Sequence, residues 1–175
     1  MVRVHLTIMK NLLLIRHAKS SWDFPGRSDH DRPLNDRGEG DAPRMAAALA
    51  QRGVRPDTIV SSTALRARTT AGMIAEGLGF PDSRIREEKD LYLASPRTIL
   101  RIVQQLDESC ETALLFGHNP GMHDAVEMIA GGASVDRFPT LAVARIELDV
   151  EHWGTVDQGD GLLLELLSPK LLKTG

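Results

Sequence analysis

The sequence predicts an α/β fold with three α/β/α layers and a mostly parallel sheet that includes one or more antiparallel strands. Short apolar runs alternate along the chain with segments of helical periodicity, a pattern typical of a sheet covered by helices. Two late apolar runs, at 141–148 and 161–167, are joined by a charged connection and predict an antiparallel pair. The length of 175 residues fits a single domain.

Three apolar runs predict the parallel strands. They lie at 11–15, 57–62 and 112–117. Runs this short, bounded by turn-forming residues, are typical of buried strands rather than of helices. Each run is followed by polar side chains, so a parallel arrangement would collect those side chains at one edge of the sheet.

A long polar loop precedes the first predicted helix. Residues 20–35 are rich in Ser, Asp, Pro, Gly and Arg and predict a loop, which is the candidate for a lid. The helix is predicted over about 35–52. Asn35 or Asp36 would be its N-cap, and Gly53 follows its end.

Three more helices are predicted further along the chain. One begins near Thr63, turns a row of alanines inward and stops before Gly79. The next has Ser95 as N-cap and Pro96 at the first helical position, where proline is favoured. The last follows Pro120.

Composition narrows the function classes. The net charge of −3 gives no general attraction to nucleic acid or to an anionic membrane, so neither is expected as a partner. A lone cysteine, Cys110, excludes an internal disulfide framework and suits the reducing cytoplasm, where we expect the protein to reside. Because the first strand begins near residue 10, residues 1–9 are predicted to be an N-terminal extension and residues 10–175 the domain.

The three strand ends carry chemistry that suits a phosphate site. Arg16 and His17 follow the first strand, Arg66 lies just beyond the second, and His118 follows the third. Ligands of open α/β sheets gather at the carboxyl ends of the strands. The guanidinium fork of arginine matches phosphate oxygens, and histidine can act as nucleophile or proton carrier.

Each feature taken alone also has an ordinary structural explanation. An Arg-His pair after a strand fits a surface loop, and a Gly-His-Asn-Pro segment fits a turn. Arg66 and Arg68 could both face solvent, and they cannot both face the site, because residues two apart lie on different sides of a helix. The joint occurrence at three strand ends favours a site.

A metal centre is the competing interpretation of the histidines. His118 and His123 are five residues apart, whereas a metalloprotease helix places its two histidines at i and i+4 around a glutamate. The carboxylate-rich residues 28–31 are interpreted as a solvated loop. We therefore expect no metal and no cofactor.

Four segments resemble the sequence blocks of the histidine phosphatase superfamily, which includes the cofactor-dependent phosphoglycerate mutases. They read LLLIRHAKS, RPLNDRG, VSSTALRARTTA and LLFGHNPGM, and they occur in the family's order within about residues 10–172. The segments LYLAS and SPKLLK are similar to those of the small bacterial SixA-type phosphohistidine phosphatases. The resemblance implies a phosphoglycerate mutase-like fold for one histidine phosphatase domain.

The resemblance also implies roles for individual residues. The family's nucleophilic histidine falls on His17 and its adjacent phosphate-binding arginine on Arg16. The second phosphate arginine falls on Arg66, which leaves Arg68 outside the site. The second family histidine falls on His118, with a role in phosphate binding or proton transfer.

Two positions depart from the family pattern. Ala18 replaces the usual glycine after the nucleophile, a change expected to have a modest effect. The carboxylate that serves many members as general acid aligns with Lys89. Glu88 and Asp90 are the nearest candidates for that acid, and the choice between them stays open.

The expected function is a metal-independent phosphatase that forms a phosphohistidine on His17. The short chain leaves little beyond the core to enclose a small ligand, and imidazole leaves phosphorus more readily than an alkoxide does. Both points favour protein phosphohistidine, for example in a phosphorelay domain, as substrate. The alternatives are a phosphatase of small phosphate monoesters, a non-catalytic phosphate-binding module and a metal-dependent hydrolase.

Overall fold

Six strands and five helices make up the part of the chain that the computed structural model describes, residues 8–173. The strands are β1 (Lys10–Arg16), β2 (Thr58–Ser61), β3 (Arg86–Glu87), β4 (Thr112–Gly117), β5 (Val143–Leu148) and β6 (Gly161–Leu167). The helices are α1 (Asp36–Gln51), α2 (Leu65–Gly77), α3 (Pro96–Gln104), α4 (Gly121–Ile129) and α5 (Pro169–Leu172).

All six strands form one mixed sheet in the order β3-β2-β4-β1-β5-β6. The first four strands of that order are parallel, and β5 and β6 are antiparallel to their neighbours, as the late apolar runs predict. β4 lies between β2 and β1, and Arg16 is in register with Gly117. The carboxyl ends of these three strands therefore lie side by side.

Helices cover both faces of the sheet and create two separate cores. Leu12 and Leu14 of β1 pack in the core beneath α3 and α4, whereas Leu13 and Ile15 pack in the core beneath α1 and α2. Side chains of a strand alternate between faces, so β1 is buried on both. This confirms the three-layer α/β/α prediction.

The predicted helix starts are also confirmed. Asn35 is the N-cap of α1, and its side-chain oxygen accepts a hydrogen bond from the backbone N–H of Gly38 at 2.9 Å. Ser95 caps α3 in the same way. Residues 1–7 of the predicted N-terminal extension lie outside the described residues. None of the helices within 8–173 has the length and hydropathy that crossing a bilayer requires.

Two local features differ from the sequence prediction. The two-residue strand β3 was not predicted, because Arg86 and Glu87 are both exposed and carry no apolar signal. Within the predicted loop, Asp29–Asp31 form a turn of 3-10 helix. The loop's ends are joined by a β-bridge between Ser20 and Leu34.

Candidate active site

The ends of β1, β2 and β4 are tied together by backbone hydrogen bonds. The N–H of His17 donates to the carbonyl of Gly117 at 3.0 Å, and that of Ser62 donates to the carbonyl of Phe116 at 2.9 Å. These bonds extend the parallel pairing just past the strands and bring the predicted residues of three separate segments to one place.

His17 lies at the centre of this place and is only 6% exposed. Its Nδ1 is 2.7 Å from the carbonyl oxygen of Ala18, an acceptor, so the ring carries its proton on Nδ1. Its Nε2 is 3.4 Å from Nε of Arg66, a donor. The tautomer assigned by these partners leaves the Nε2 lone pair available as a nucleophile.

Arg66 organises the site from the first turn of α2, where its side chain is buried. Besides His17, its guanidinium donates to His118 Nδ1 at 3.3 Å and to the backbone and side-chain oxygens of Asp29 at 2.6 and 3.1 Å. Arg68 points elsewhere and pairs with Asp82 at 2.9 Å. The predicted difference between the two arginines is thus present in the structure.

His118 is the second histidine of the cluster. Its Nε2 is 2.8 Å from the hydroxyl oxygen of Ser62, and its ring centroid is 5.2 Å from that of His17. Because Nδ1 accepts from Arg66, the remaining proton is on Nε2 and is donated to Ser62. Both histidines are therefore neutral in this arrangement.

The surroundings explain that neutrality. Burial is the main cause that lowers the pKa of His17 to about 4, and the positive charges of Arg66 and Arg16 lower it further. Burial also lowers the pKa of His118 to about 3, with repulsion from His17 and Arg66 as further causes. At neutral pH the site combines fixed cationic arginines with uncharged imidazoles, a combination that suits an anionic ligand.

Arg16 is the last residue of β1 and adds a second guanidinium to the site. Its Nη1 donates to the carbonyl of Phe138 at 3.2 Å. Its Nε is the buried side-chain nitrogen that has no hydrogen-bond partner among residues 8–173, so this N–H can serve a ligand. Burial and the charge of Arg66 lower the pKa of Arg16.

Thr70 connects the end of β1 to α2. Its hydroxyl accepts from the backbone N–H of Ala18 at 3.0 Å and donates to the carbonyl of Arg66, one turn earlier in the helix, at 2.7 Å. The residue after His17 is therefore held against the helix that carries Arg66.

Three further residues lie at the site, although the sequence did not identify them as site residues. They are Asp29, Arg32 and Tyr92. The Asp29 carboxylate accepts from Arg66, from Arg32 Nε at 3.1 Å and from the Tyr92 hydroxyl at 2.6 Å. The Tyr92 ring lies edge-on to His118, with centroids 5.4 Å apart. The interpretation of residues 28–31 as a solvated loop is incomplete for this reason: Asp29 is half-exposed but bonded to the site.

Glu88 and Asp90, the candidates for a general acid, form a local contact instead. The Glu88 carboxylate accepts from the backbone N–H of Asp90 at 3.1 Å, and the Asp90 side chain is exposed. His123 bonds to Glu127 and to the carbonyl of Val135, away from His118. Within residues 8–173, no three His, Cys, Asp or Glu side chains converge as a metal site would require.

The chain is similar in sequence to a known family and to an individual relative. Residues 12–92 match the sequence profile of the histidine phosphatase superfamily, branch 1. An uncharacterised chloroplastic protein of Arabidopsis thaliana is 33% identical over 155 residues, which are 84% of this chain and 70% of that protein.

Two solved structures share the fold over nearly the whole chain. SixA from Agrobacterium tumefaciens is 33% identical with a TM-score of 0.77, over 91% of this chain and 98% of its own. The protein histidine phosphatase SixA complexed with tungstate is 25% identical with a TM-score of 0.80, over 93% and 99%. These likenesses confirm the predicted phosphoglycerate mutase-like fold. The chain belongs to the histidine phosphatase superfamily and is a phosphatase.

Proposed function

We propose that this phosphatase works without a metal, through a phosphohistidine intermediate on His17, and that it acts on phosphohistidine side chains of proteins. The observation that carries the proposal is the bonding of the His17 ring. Its Nδ1 proton is directed to the Ala18 carbonyl, so Nε2 presents a lone pair beside the Arg66 guanidinium. A nucleophile and a phosphate-binding cation are thus adjacent.

The reaction has two displacement steps. In the first, the Nε2 lone pair of His17 forms a bond to phosphorus, and the leaving group departs with the electron pair of its own bond. In the second, water attacks phosphorus and the P–Nε2 bond breaks. The pair returns to His17, and dihydrogen phosphate retains both protons of the water. Arg16 and Arg66 offset the charge on the phosphoryl oxygens in both steps.

His118 would change protonation as the phosphoryl group binds. In the free site Nδ1 accepts from Arg66 and the ring is neutral, with its pKa lowered to about 3. A nearby dianion favours the charged imidazole, because opposite charges stabilise each other. With a proton taken up from solvent, Nδ1 no longer accepts from Arg66 and could donate to a phosphoryl oxygen, while Nε2 keeps its bond to Ser62.

Two points support phosphohistidine as the substrate. One of the similar structures is named a protein histidine phosphatase and binds tungstate, a phosphate-like oxyanion. In addition, of the two candidate acids, Glu88 accepts from the backbone N–H of Asp90, and the Asp90 side chain is exposed. An alkoxide needs a proton to leave phosphorus, whereas an imidazole protonated on its other nitrogen leaves as a neutral molecule.

The intermediate can be tested by trapping the phosphoenzyme with ³²P-labelled phosphohistidine protein. The wild-type chain should give an acid-labile, alkali-stable label, and His17→Ala should lose both label and turnover. His152→Ala is the matched control, because His152 is exposed and lies beside Glu108 rather than at the site. A label on serine, or near-normal turnover by His17→Ala, would contradict the mechanism. If kcat/KM for a small ester exceeds that for every phosphohistidine substrate a hundredfold, the proposed substrate class is wrong.

A further inference from the structure

Asp29 places a negative charge at the mouth of a site built to bind anions. Its carboxylate oxygen Oδ2 accepts from both Arg66 Nη2 and the Tyr92 hydroxyl, and Oδ1 accepts from Arg32 Nε. Arg66 in turn contacts Nε2 of His17. One arginine therefore separates Asp29 from the nucleophile.

The Asp29 carboxylate is held in place from several sides. Arg32 is itself fixed by a bond from its Nη1 to the Ser20 hydroxyl at 2.8 Å and lies 3.5 Å from the Trp22 ring centroid. Oδ1 accepts from Arg32 and, as a carboxylate oxygen, can accept a second hydrogen bond. The Asp29 side chain is 44% exposed, so the carboxylate is partly open to an incoming group.

This carboxylate is unsuited to donate a proton. The hydrogen bond from Tyr92, together with the arginine charges, lowers the pKa of Asp29 to about 2. At neutral pH it is an acceptor with a full negative charge. It would repel an anionic leaving group, and it would attract one that carries an N–H.

The leaving group of phosphohistidine has such an N–H. When one ring nitrogen carries the phosphoryl group, the other can carry a proton, and the ring is then cationic. Attack by His17 breaks the P–N bond and returns its electron pair to the ring, which leaves as neutral imidazole with its distal proton still attached. A carboxylate that accepts a hydrogen bond from this N–H stabilises the form that leaves most readily.

We propose that Asp29 is a specificity-determining residue that accepts a hydrogen bond from the distal ring N–H of a phosphohistidine substrate. The inference rests on the proposed function and refines it, because it assigns the choice of leaving group to one carboxylate. The ligand chemistry is a phosphorylated imidazole, either free or within a protein.

The test compares Asp29→Asn with the wild-type chain on three substrates: free phosphohistidine, a phosphohistidine protein and p-nitrophenyl phosphate. Asparagine keeps an oxygen for Arg66 but removes the charge. Since hydrogen bonds to charged groups contribute about 1.5–3 kcal/mol, kcat/KM for both phosphohistidine substrates should fall about tenfold or more. The loss on p-nitrophenyl phosphate, which reports only the effect on Arg66 because p-nitrophenolate needs no proton and has no N–H, should be about tenfold smaller than the loss on the phosphohistidine substrates. Activity on p-nitrophenyl phosphate also shows that the variant is folded.

Asp31→Asn is the matched control. Asp31 lies in the same 3-10 turn but bonds to Ser28 and His30, so its removal should leave the ratio between substrates unchanged. Equal losses on all three substrates would show that Asp29 only positions Arg66, and no loss would show that it has no role. If kcat/KM falls only for the phosphohistidine protein, Asp29 contacts another part of that protein and not the phosphorylated ring. These failures are distinct from failure of the proposed function, in which the wild-type chain forms no label on His17.

Discussion

His17 and His118 are two neutral imidazoles held between arginines, and their burial has an energetic consequence. An unfolded chain exposes both rings to water, where histidine has an ordinary pKa near 6.5. In the folded chain the pKa is about 4 for His17 and about 3 for His118. The two states therefore bind different numbers of protons over a defined range of pH.

We expect the free energy of unfolding to fall as the pH is lowered from 7 to 5. Above pH 6.5 neither state protonates these rings, and below it only the unfolded chain does, until the folded pKa values are reached. The loss at pH 5 should be about 2 kcal/mol for each histidine. Urea unfolding of the wild-type chain and of His118→Asn at both pH values measures it.

The His118→Asn variant should lose about 2 kcal/mol less than the wild-type chain over this interval. His152→Asn, in which an exposed histidine is replaced, should behave like the wild-type chain. The lowered pKa of Asp29 acts only below about pH 4, because its ordinary value is already near 3.8, so it does not contribute in this range. Equal losses in His118→Asn and the wild-type chain would contradict the prediction.

Among the elements, α2 separates two arginines by its helical geometry. Arg66 is on the buried face, beside His17 and His118, whereas Arg68 is on the outer face with Asp82. Two residues along a helix turn the side chain by roughly 200°. The first turn of α2 therefore gives one arginine to the site and one to the surface.

Arg66→Ala should lower kcat/KM for p-nitrophenyl phosphate by about a hundredfold or more, by analogy with the removal of an oxyanion donor. Arg68→Ala should keep its activity within about twofold, because an exposed ion pair contributes only about 0–1 kcal/mol even to stability. Steady-state kinetics of the two variants make the comparison. If kcat/KM falls to a similar extent in both variants, the direction in which each arginine points from α2 does not determine its role.

The sequence predicts α2 and the side of it that faces the site well, whereas it predicts the contacts of the loop before α1 poorly. The parallel strand ends predict that His17, His118 and the start of α2 lie together, and the resemblance to the family selects Arg66 over Arg68. Asp29 and Asp31 look alike in the sequence, because each is an acidic residue in the same polar segment. Only the fold, which brings Arg66 and Tyr92 to Asp29, distinguishes them. No local pattern reports such a contact.

Across the whole molecule, the positive charge of the site comes from side chains. Arg16 and Arg66 extend from two different layers, the sheet and a helix, and meet at one edge. Guanidinium groups can neutralise phosphoryl oxygens as a bound cation does. This arrangement is the basis for the proposed independence from metals.

We therefore expect turnover of p-nitrophenyl phosphate to be unchanged after dialysis against EDTA. Addition of Mg²⁺, Mn²⁺ or Zn²⁺ to the treated protein should not increase the rate. The matched comparison is the untreated protein, assayed in the same buffer with the same total ionic strength. Activity that disappears in EDTA and returns with one of these cations would favour a metal-dependent hydrolase instead.

The burial of β1 on both faces affects how readily different parts of the site can open. β1 lies between β4 and β5, so exposing its amides to hydrogen exchange requires separation of the sheet from both helical layers. The loop with Asp29 belongs to no strand of the sheet and is largely exposed, so we expect it to open locally at a smaller free energy. Under the proposed role of Asp29, changes that alter leaving-group preference can thus accumulate in the loop at little cost in stability, while the nucleophile directly follows a strand that is buried on both faces.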